Sequence, residues 1–371
     1  MDRRQFVMGT VGGLAALQTT RFAFAQEGAV PAGYPSDYAA IIEASRSETD
    51  VVMYTSFSES FWQPVKDKLA TLYPWIDLQT LDLGGPEIVE RYRMETGASA
   101  RTADILVFNG PGEWFDLSSQ GALVDYRSAE IANLPDWSLK LPGAYFATVD
   151  ADVFLWNKLL LPEGPTSLEA LVTQAQADPD TFNGRITTYA IYQQSSYYLA
   201  FRKLLEHHGE KLWDWLAVLA PLTRIERSGG TMYEKVLSGE YLVTYYVNQQ
   251  LAVLGARDPQ KSQVVGWAFP TDGTTISGRF AGIPVATQAP NSARLILDFL
   301  LSKEGQLMVA EGGRFPYRSD VTPADVGENA YTYQMVLDTV GAENALLVEY
   351  DPALMEDQDA IIARWKSIYE G

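Results

Sequence analysis

Four short turns carry the polar groups from which a site could be built. Ser56 and Ser58, Gly84-Gly85, Ser195-Ser196 and Ser228-Gly229-Gly230-Thr231 each precede a segment with helical spacing. A helix start presents unpaired backbone N–H groups and the positive end of the helix dipole. Glycine lets the backbone approach a bound group closely. Several such starts aimed at one cleft would hold a carboxylate, phosphate or phosphonate without any basic surface; singly, each is equally an ordinary N-cap or turn. Phe57 sits between the two serines of the first turn. Tyr192, Tyr197, Tyr245 and Tyr246 could offer ring faces and hydroxyls to a sugar or organic ligand, or could equally be packing residues. Asn109 and Asn248 are further hydrogen-bonding candidates. Groups for covalent chemistry are scarce: cysteine is absent, and the two histidines, His207 and His208, are neighbours that cannot share a helix face. The 47 acidic residues follow no metal-ligand or phosphate-loop pattern. The reading is of a binding site with no catalytic residue, no metal and no cofactor.

The elements that must position these turns alternate. Asp50–Thr55 is an apolar run of strand type, Phe61 to Leu72 has helical spacing, Ile76 to Leu83 returns to strand, and Glu87 to Thr96 is helical. Ala103 to Phe108 reads as a buried strand ending in Asn109-Gly110-Pro111-Gly112. Strand, polar turn and helix in repetition predict an α/β layer with a mostly parallel sheet. A second such region spans Arg185 to Val247. Two long extended stretches, Tyr145 to Trp156 and Val264 to Val285, join the regions. The expected architecture is two lobes with a cleft between them: lobe 1 over 26–147 plus 282–330, lobe 2 over 148–281, and C-terminal helices over 331–371.

Composition narrows the partners. Net charge is −19, near −21 without the first 25 residues, which carry three arginines and one aspartate. That argues against a nucleic-acid partner and an anionic membrane surface. Hydrophobic content of 47% argues against disorder. Residues 1–25 read as an export signal: Arg3-Arg4, a short apolar run to Leu17, and Ala23-Phe24-Ala25 as a small-x-small cleavage site. The run falls short of the roughly 20 residues a membrane span needs. The paired arginines favour the twin-arginine route, with general secretion as the alternative. Without cysteine there is neither a disulfide nor a lipid-anchoring residue, so the expectation is an untethered periplasmic protein.

The chain resembles the periplasmic solute-binding proteins of ATP-binding-cassette importers, type 2 fold, in the group that includes ferric-iron and anion binders. Val51 to Phe57 looks like the opening strand and ligand loop, and Leu72-Tyr73-Pro74-Trp75-Ile76 like the step after the first helix. Ala103-Asp104-Ile105-Leu106, Gly239-Glu240, Phe269 to Thr274 and Leu297 to Gln306 look like later hallmarks. The resemblance implies a two-lobed α/β protein with two hinge crossings. It implies a monomeric receptor that captures a small solute in the cleft and delivers it to an inner-membrane permease. Iron-binding members carry a tandem tyrosine pair after the glycine-glutamate turn. Here Tyr245-Tyr246 come about four residues early, and Gln249-Gln250 stand at the matching count. On a regular strand the two tyrosines would also face opposite ways unless the backbone bends. An anionic or phosphorylated organic ligand therefore ranks first, ferric iron second and a cation third; an exported carboxylate-based hydrolase is the alternative of another class.

Overall fold

The computed structural model describes residues 28–48 and 50–371. The expected export signal, residues 1–25, lies outside the described residues. The strands are β1 (Asp50–Thr55), β2 (Asp77–Asp82), β3 (Ile105–Phe108), β4 (Leu139–Leu141), β5 (Ala144–Asn157), β6 (Ile186–Tyr189), β7 (Thr223–Glu226), β8 (Val243–Asn248), β9 (Val265–Ala268), β10 (Thr274–Gly282) and β11 (Ala345–Leu347). The helices of the first half are α1 (Tyr38–Ser45), α2 (Glu59–Leu72), α3 (Gly85–Gly97), α4 (Pro111–Ser119), α5 (Leu168–Ala177) and α6 (Pro179–Phe182). Those that follow are α7 (Ser195–His208), α8 (Glu210–Leu219), α9 (Gly229–Ser238), α10 (Gln249–Ala256), α11 (Lys261–Val264), α12 (Pro290–Leu301), α13 (Lys303–Glu311), α14 (Tyr333–Val340) and α15 (Gln358–Tyr369).

Two mixed sheets form the two lobes. In lobe 1 the order is β2-β1-β3-β10-β5, with β1 parallel to β2 and β3, and β10 antiparallel to β3 and β5. In lobe 2, β6 is parallel to β7 and β8, while β8 and β9 flank β5 antiparallel. All four residues of β3, Ile-Leu-Val-Phe, are buried, as a parallel strand covered on both faces requires. The strand β5 belongs to both sheets. Ala144 to Ala151 pair with β10, and Asp152 to Asn157 with β8 and β9. The second extended stretch, expected as one run from Val264 to Val285, is two strands. Pro270 to Gly273 turns the chain between β9 and β10, and Asp272 accepts the Leu168 and Glu169 N–H groups at 3.0 Å to cap α5.

Two carboxylates, buried Asp104 and half-buried Glu48, tie the return of the chain to lobe 1. Asp104 Oδ1 accepts from the Thr287 hydroxyl (2.8 Å) and the N–H groups of Gln288 and Ala289. Glu48 Oε2 accepts from Asn291 and Ser292 N–H at 2.8 Å, at the start of α12. The segment after 331 spreads over the molecule: Tyr333 stacks edge-on to Trp137, β11 runs parallel to the start of β10, and α15 packs on α8. Among the described residues no helix is long and apolar enough to cross a membrane.

Candidate functional site

A cavity of about 510 Å³ opens between the lobes and runs under α7. Lobe 1 supplies the starts of α3 (Gly84, Gly85) and α4 (Asn109, Gly110, Glu113) and the end of β1 (Ser56). Lobe 2 supplies the start of α7 (Ser195, Ser196) and the tyrosines of β6 and β8. The floor is formed by β5, which crosses between the sheets, and its neighbour β10, with Asp150 and Asp152 from β5 and Ser277 and Arg279 from β10. Beneath α7 the walls turn apolar, with Phe201, Leu204, Leu212, Leu216 and, from α15, Trp365.

The helix starts differ in what they leave free. Neither α3 nor α7 has a side-chain cap, and each opens on the cavity from a different lobe. The start of α4 is engaged: Gly112 N–H donates to Ser195 Oγ across the cleft (3.2 Å), and that hydroxyl lies 3.3 Å from Glu113 Oε2. The lobes therefore touch at Ser195. Two buried polar atoms in the wall, Asn109 Oδ1 and Tyr246 Oη, have no hydrogen-bond partner. Other such atoms lie away from the cavity, so these two count only as groups that a bound solute would satisfy.

Arg279 and Arg314 converge on Asp150. Arg279 Nε donates to Asp150 Oδ2, and Arg314 Nη1 lies 2.8 Å from both carboxylate oxygens. Gln249 Nε2 adds a donor at 3.2 Å, and Arg314 Nη2 also reaches Gln250 Oε1 at 2.8 Å. Burial would raise the Asp150 carboxyl, but the two guanidiniums overcome it and hold the group well below the usual range. Arg279 reaches on to Ser56 Oγ at 3.4 Å, which places it in the cavity wall. Asp152 is different. Its Oδ2 accepts from the Thr275 hydroxyl (2.6 Å), and burial, reinforced by nearby Asp150, pushes its carboxyl up to about 7.

The two adjacent tyrosines of β8 both line the cavity. The register of β5 against β8 slips between Val153 and Leu155, and Tyr246 has a φ of +55°, in the left-handed region. This bulge is the backbone bend that the alternation of a regular strand forbids. Phe154 fills the slip, edge-on to both rings at 6.4 and 5.4 Å. The hydroxyls of Tyr245 and Tyr369 bond to each other. Burial pushes Tyr245 up to about 12 and holds Tyr246 well above the ordinary phenol value.

Bacterial extracellular solute-binding proteins match the chain over residues 54–307. The chain belongs to that family. No curated protein matches it closely enough to count. Among solved structures this solute-binding protein is similar to the substrate-binding protein of an ABC transporter from Agrobacterium tumefaciens, with 23% identity, TM-score 0.73, and 86% of this chain and 94% of that one covered. The periplasmic binding protein AfuA of Actinobacillus pleuropneumoniae, solved with fructose-6-phosphate, matches at 18% identity and TM-score 0.65, over 87% and 99% of the two chains. Iron-bound HitA of Pseudomonas aeruginosa matches at 16% and 0.67, over 86% and 99%. These likenesses show the two-lobed type 2 periplasmic binding protein fold; the solute differs among the relatives themselves.

The solute-binding protein gathers most of the residues singled out from its sequence into the one cavity: Ser56, Gly84, Gly85, Asn109, Tyr192, Ser195, Ser196, Tyr245, Tyr246 and Asn248. Four lie elsewhere. Phe57 is buried below the floor, stacked on Trp62, with the Arg314 guanidinium 4.2 Å over its ring. Ser58 is exposed and bonds the Ser60 hydroxyl at 2.9 Å. The turn at 228–231 is an ordinary cap, because Ser228 accepts from Thr231 N–H. Gly229 is a packing glycine there: a Cβ would stand 2.4 Å from the Tyr189 hydroxyl. Gly230 borders a separate hollow with Tyr233 and Leu254. His207 is exposed and His208 half-buried against Trp215, away from the cavity. The sequence reading did not name Asp150, Asp152, Arg279, Trp365 or Tyr369. The two aspartates stand two residues apart in a strand, a spacing that puts them on one face and could have marked them; nothing local marks the others.

Proposed function

We propose that this solute-binding protein is the periplasmic receptor of an ATP-binding-cassette importer, exported by way of residues 1–25 through the twin-arginine route. It captures a small anionic or phosphorylated organic solute between its lobes and, as a monomer, hands it to an inner-membrane permease. The observation that carries the ligand class is the pairing of two uncapped helix starts, α3 and α7, from opposite lobes on one cavity beside Arg279. Such starts attract anions with their dipoles and free N–H groups. A ligand bridging them closes the cleft by bending in β5 and in the turn between β9 and β10, so closure and affinity are linked. The aromatic and apolar wall suits an organic body in place of a bare inorganic ion.

Iron is the weaker reading. The tyrosine pair comes early for the iron-binding pattern, and the Tyr369 hydroxyl is bonded to that of Tyr245. The test is native mass spectrometry of protein purified from its own periplasm, with and without denaturation. The expected result is a released organic acid or phosphate ester. A released solute without an acid group overturns the ligand class. A red protein with a tyrosinate-to-iron absorption band replaces it with iron. Turnover of the released solute would favour the hydrolase.

A further inference from the structure

Asp150 and Asp152 project from the same face of β5 but into different company. Asp150 is saturated by Arg279, Arg314 and Gln249. Asp152 accepts the Thr275 hydroxyl, and among the described residues no lysine, arginine or histidine lies within salt-bridge distance of it; Arg279, which is held by Asp150, acts on it only from farther off. It nevertheless lines the cavity, opposite Asn248 of β8. A partly buried carboxylate with no cation in contact is costly, and the cost falls when a bound group supplies the charge.

The surroundings complete a seat for such a group. Tyr189 and Tyr197 stack at 4.2 Å between ring centroids, and both line the cavity. Tyr189 and Tyr197 feel the charge of Asp152 and, opposing it, that of Arg279, and Tyr246 feels Asp272 and Asp152. The Tyr246 hydroxyl is buried without a partner on its bulged strand. Ring faces carry negative potential, so tyrosines gathered around a carboxylate attract a cation, above all a weakly hydrated one.

We propose that Asp152 recognises a positively charged nitrogen, so that the solute is a zwitterion. Its acid group lies toward α3, α7 and Arg279, and its amine or alkylated ring nitrogen lies against Asp152, Tyr189, Tyr197 and Tyr246. The assignment of the acid end rests on the anion reading above; the nitrogen end rests on Asp152 and the tyrosines. The carboxyl, pushed up to about 7 in the unliganded cavity, is drawn back to its ionised form by the incoming cation.

The experiment uses full-length protein, wild type and Asp152→Asn, the substitution that keeps the side chain's size. Each is incubated with a small-molecule extract of bacterial cells, desalted and denatured, and the released molecules are identified by mass spectrometry and by their charge at acid and alkaline pH. The expected molecule has both an acid group and a basic or quaternary nitrogen. Asp152→Asn, with its fold checked by thermal melting, should retain about tenfold less of it, the usual scale for losing one hydrogen bond to a charged group. A molecule with an acid group and no such nitrogen overturns the proposal and leaves the anion reading standing. A molecule with the nitrogen and no acid overturns the anion reading and the zwitterion with it. Capture of nothing by either protein counts against both. As a second measurement, calorimetry compares choline phosphate with 3,3-dimethylbutyl phosphate, its uncharged isostere. Tighter binding of choline phosphate to wild type, with the preference lost in Asp152→Asn, supports the assignment. Equal binding of the pair, or a preference that survives the substitution, overturns it.

Discussion

Replacing Asp150 by asparagine keeps the shape of the side chain and removes the charge that two arginines share. Arg314, only 5% exposed, would then keep neutral acceptors, Gln250 and the new amide oxygen, but no anion. Removing one partner of a buried ion pair costs about 3–5 kcal/mol, because the other charge stays dehydrated. Unfolding entropy of about 2.1 cal/mol/K per residue, applied to 371 residues, converts that to a fall in Tm of about 4–6 °C. Calorimetry on ligand-free protein measures it. Adding Arg314→Met should recover part of the loss, since the stranded charge goes with it. The pH dependence has a definite sign. Asp150 titrates below its unfolded value, so its contribution is complete above about pH 5 and is lost as the pH falls. Wild type should therefore lose more stability than Asp150→Asn between about pH 5 and 3. A Tm for Asp150→Asn within about 1 °C of wild type, or strict additivity of the two substitutions, would refute the ion-pair account.

Asp152→Asn should do the opposite in the absence of ligand: the folded carboxyl holds its proton up to about 7, so ionisation weakens the fold as the pH rises from about 4 to 7. The variant should melt above wild type at pH 8, by at most about 4 kcal/mol, and with it at pH 4; fluorimetry across pH tests this. Gly85→Ala would place a Cβ 2.9 Å from the Asn109 carbonyl and 3.1 Å from the Phe108 ring, at the mouth of the cavity. It should cost about 1–3 kcal/mol and weaken solute binding, read by melting and calorimetry. Tyr369→Phe strips the Tyr245 hydroxyl of its partner and should cost about 1–2 kcal/mol. Tyr192→Phe, whose exposed hydroxyl meets Glu370, should stay within about 0.5 kcal/mol.

The layers of the fold were legible because they obey local rules. The run Ile105–Phe108 can only be a strand buried on both faces, and the spacing Phe61, Val65, Leu69 only one face of a helix. The helix starts at Gly84-Gly85 and Ser195-Ser196 were visible for the same reason. Which starts would stay uncapped was not, because it depends on whether a neighbouring serine turns back to its own helix, as Ser228 does. The orientation of Tyr246 was hidden in a register slip against a strand some 90 residues away, which no local pattern encodes. Trp365 and Tyr369 fall outside both lobes in the sequence order, and tertiary packing alone brings α15 to the wall.

The sharing of β5 between the two sheets also imposes an order in time. Asp150 and Asp152 are successive residues on one face of one strand, so they stay within about 7 Å of each other even though the strand changes sheets between them. The floor of the cavity is thus ready before the walls arrive. In the closure proposed above, a solute would meet it first, with the starts of α3 and α7 swinging in afterwards. Changes at Asp152 should therefore alter the initial encounter as well as the lifetime of the complex. Changes at Gly85 or Ser195, on the swinging walls, should act mainly on the lifetime, and stopped-flow traces would separate the two phases.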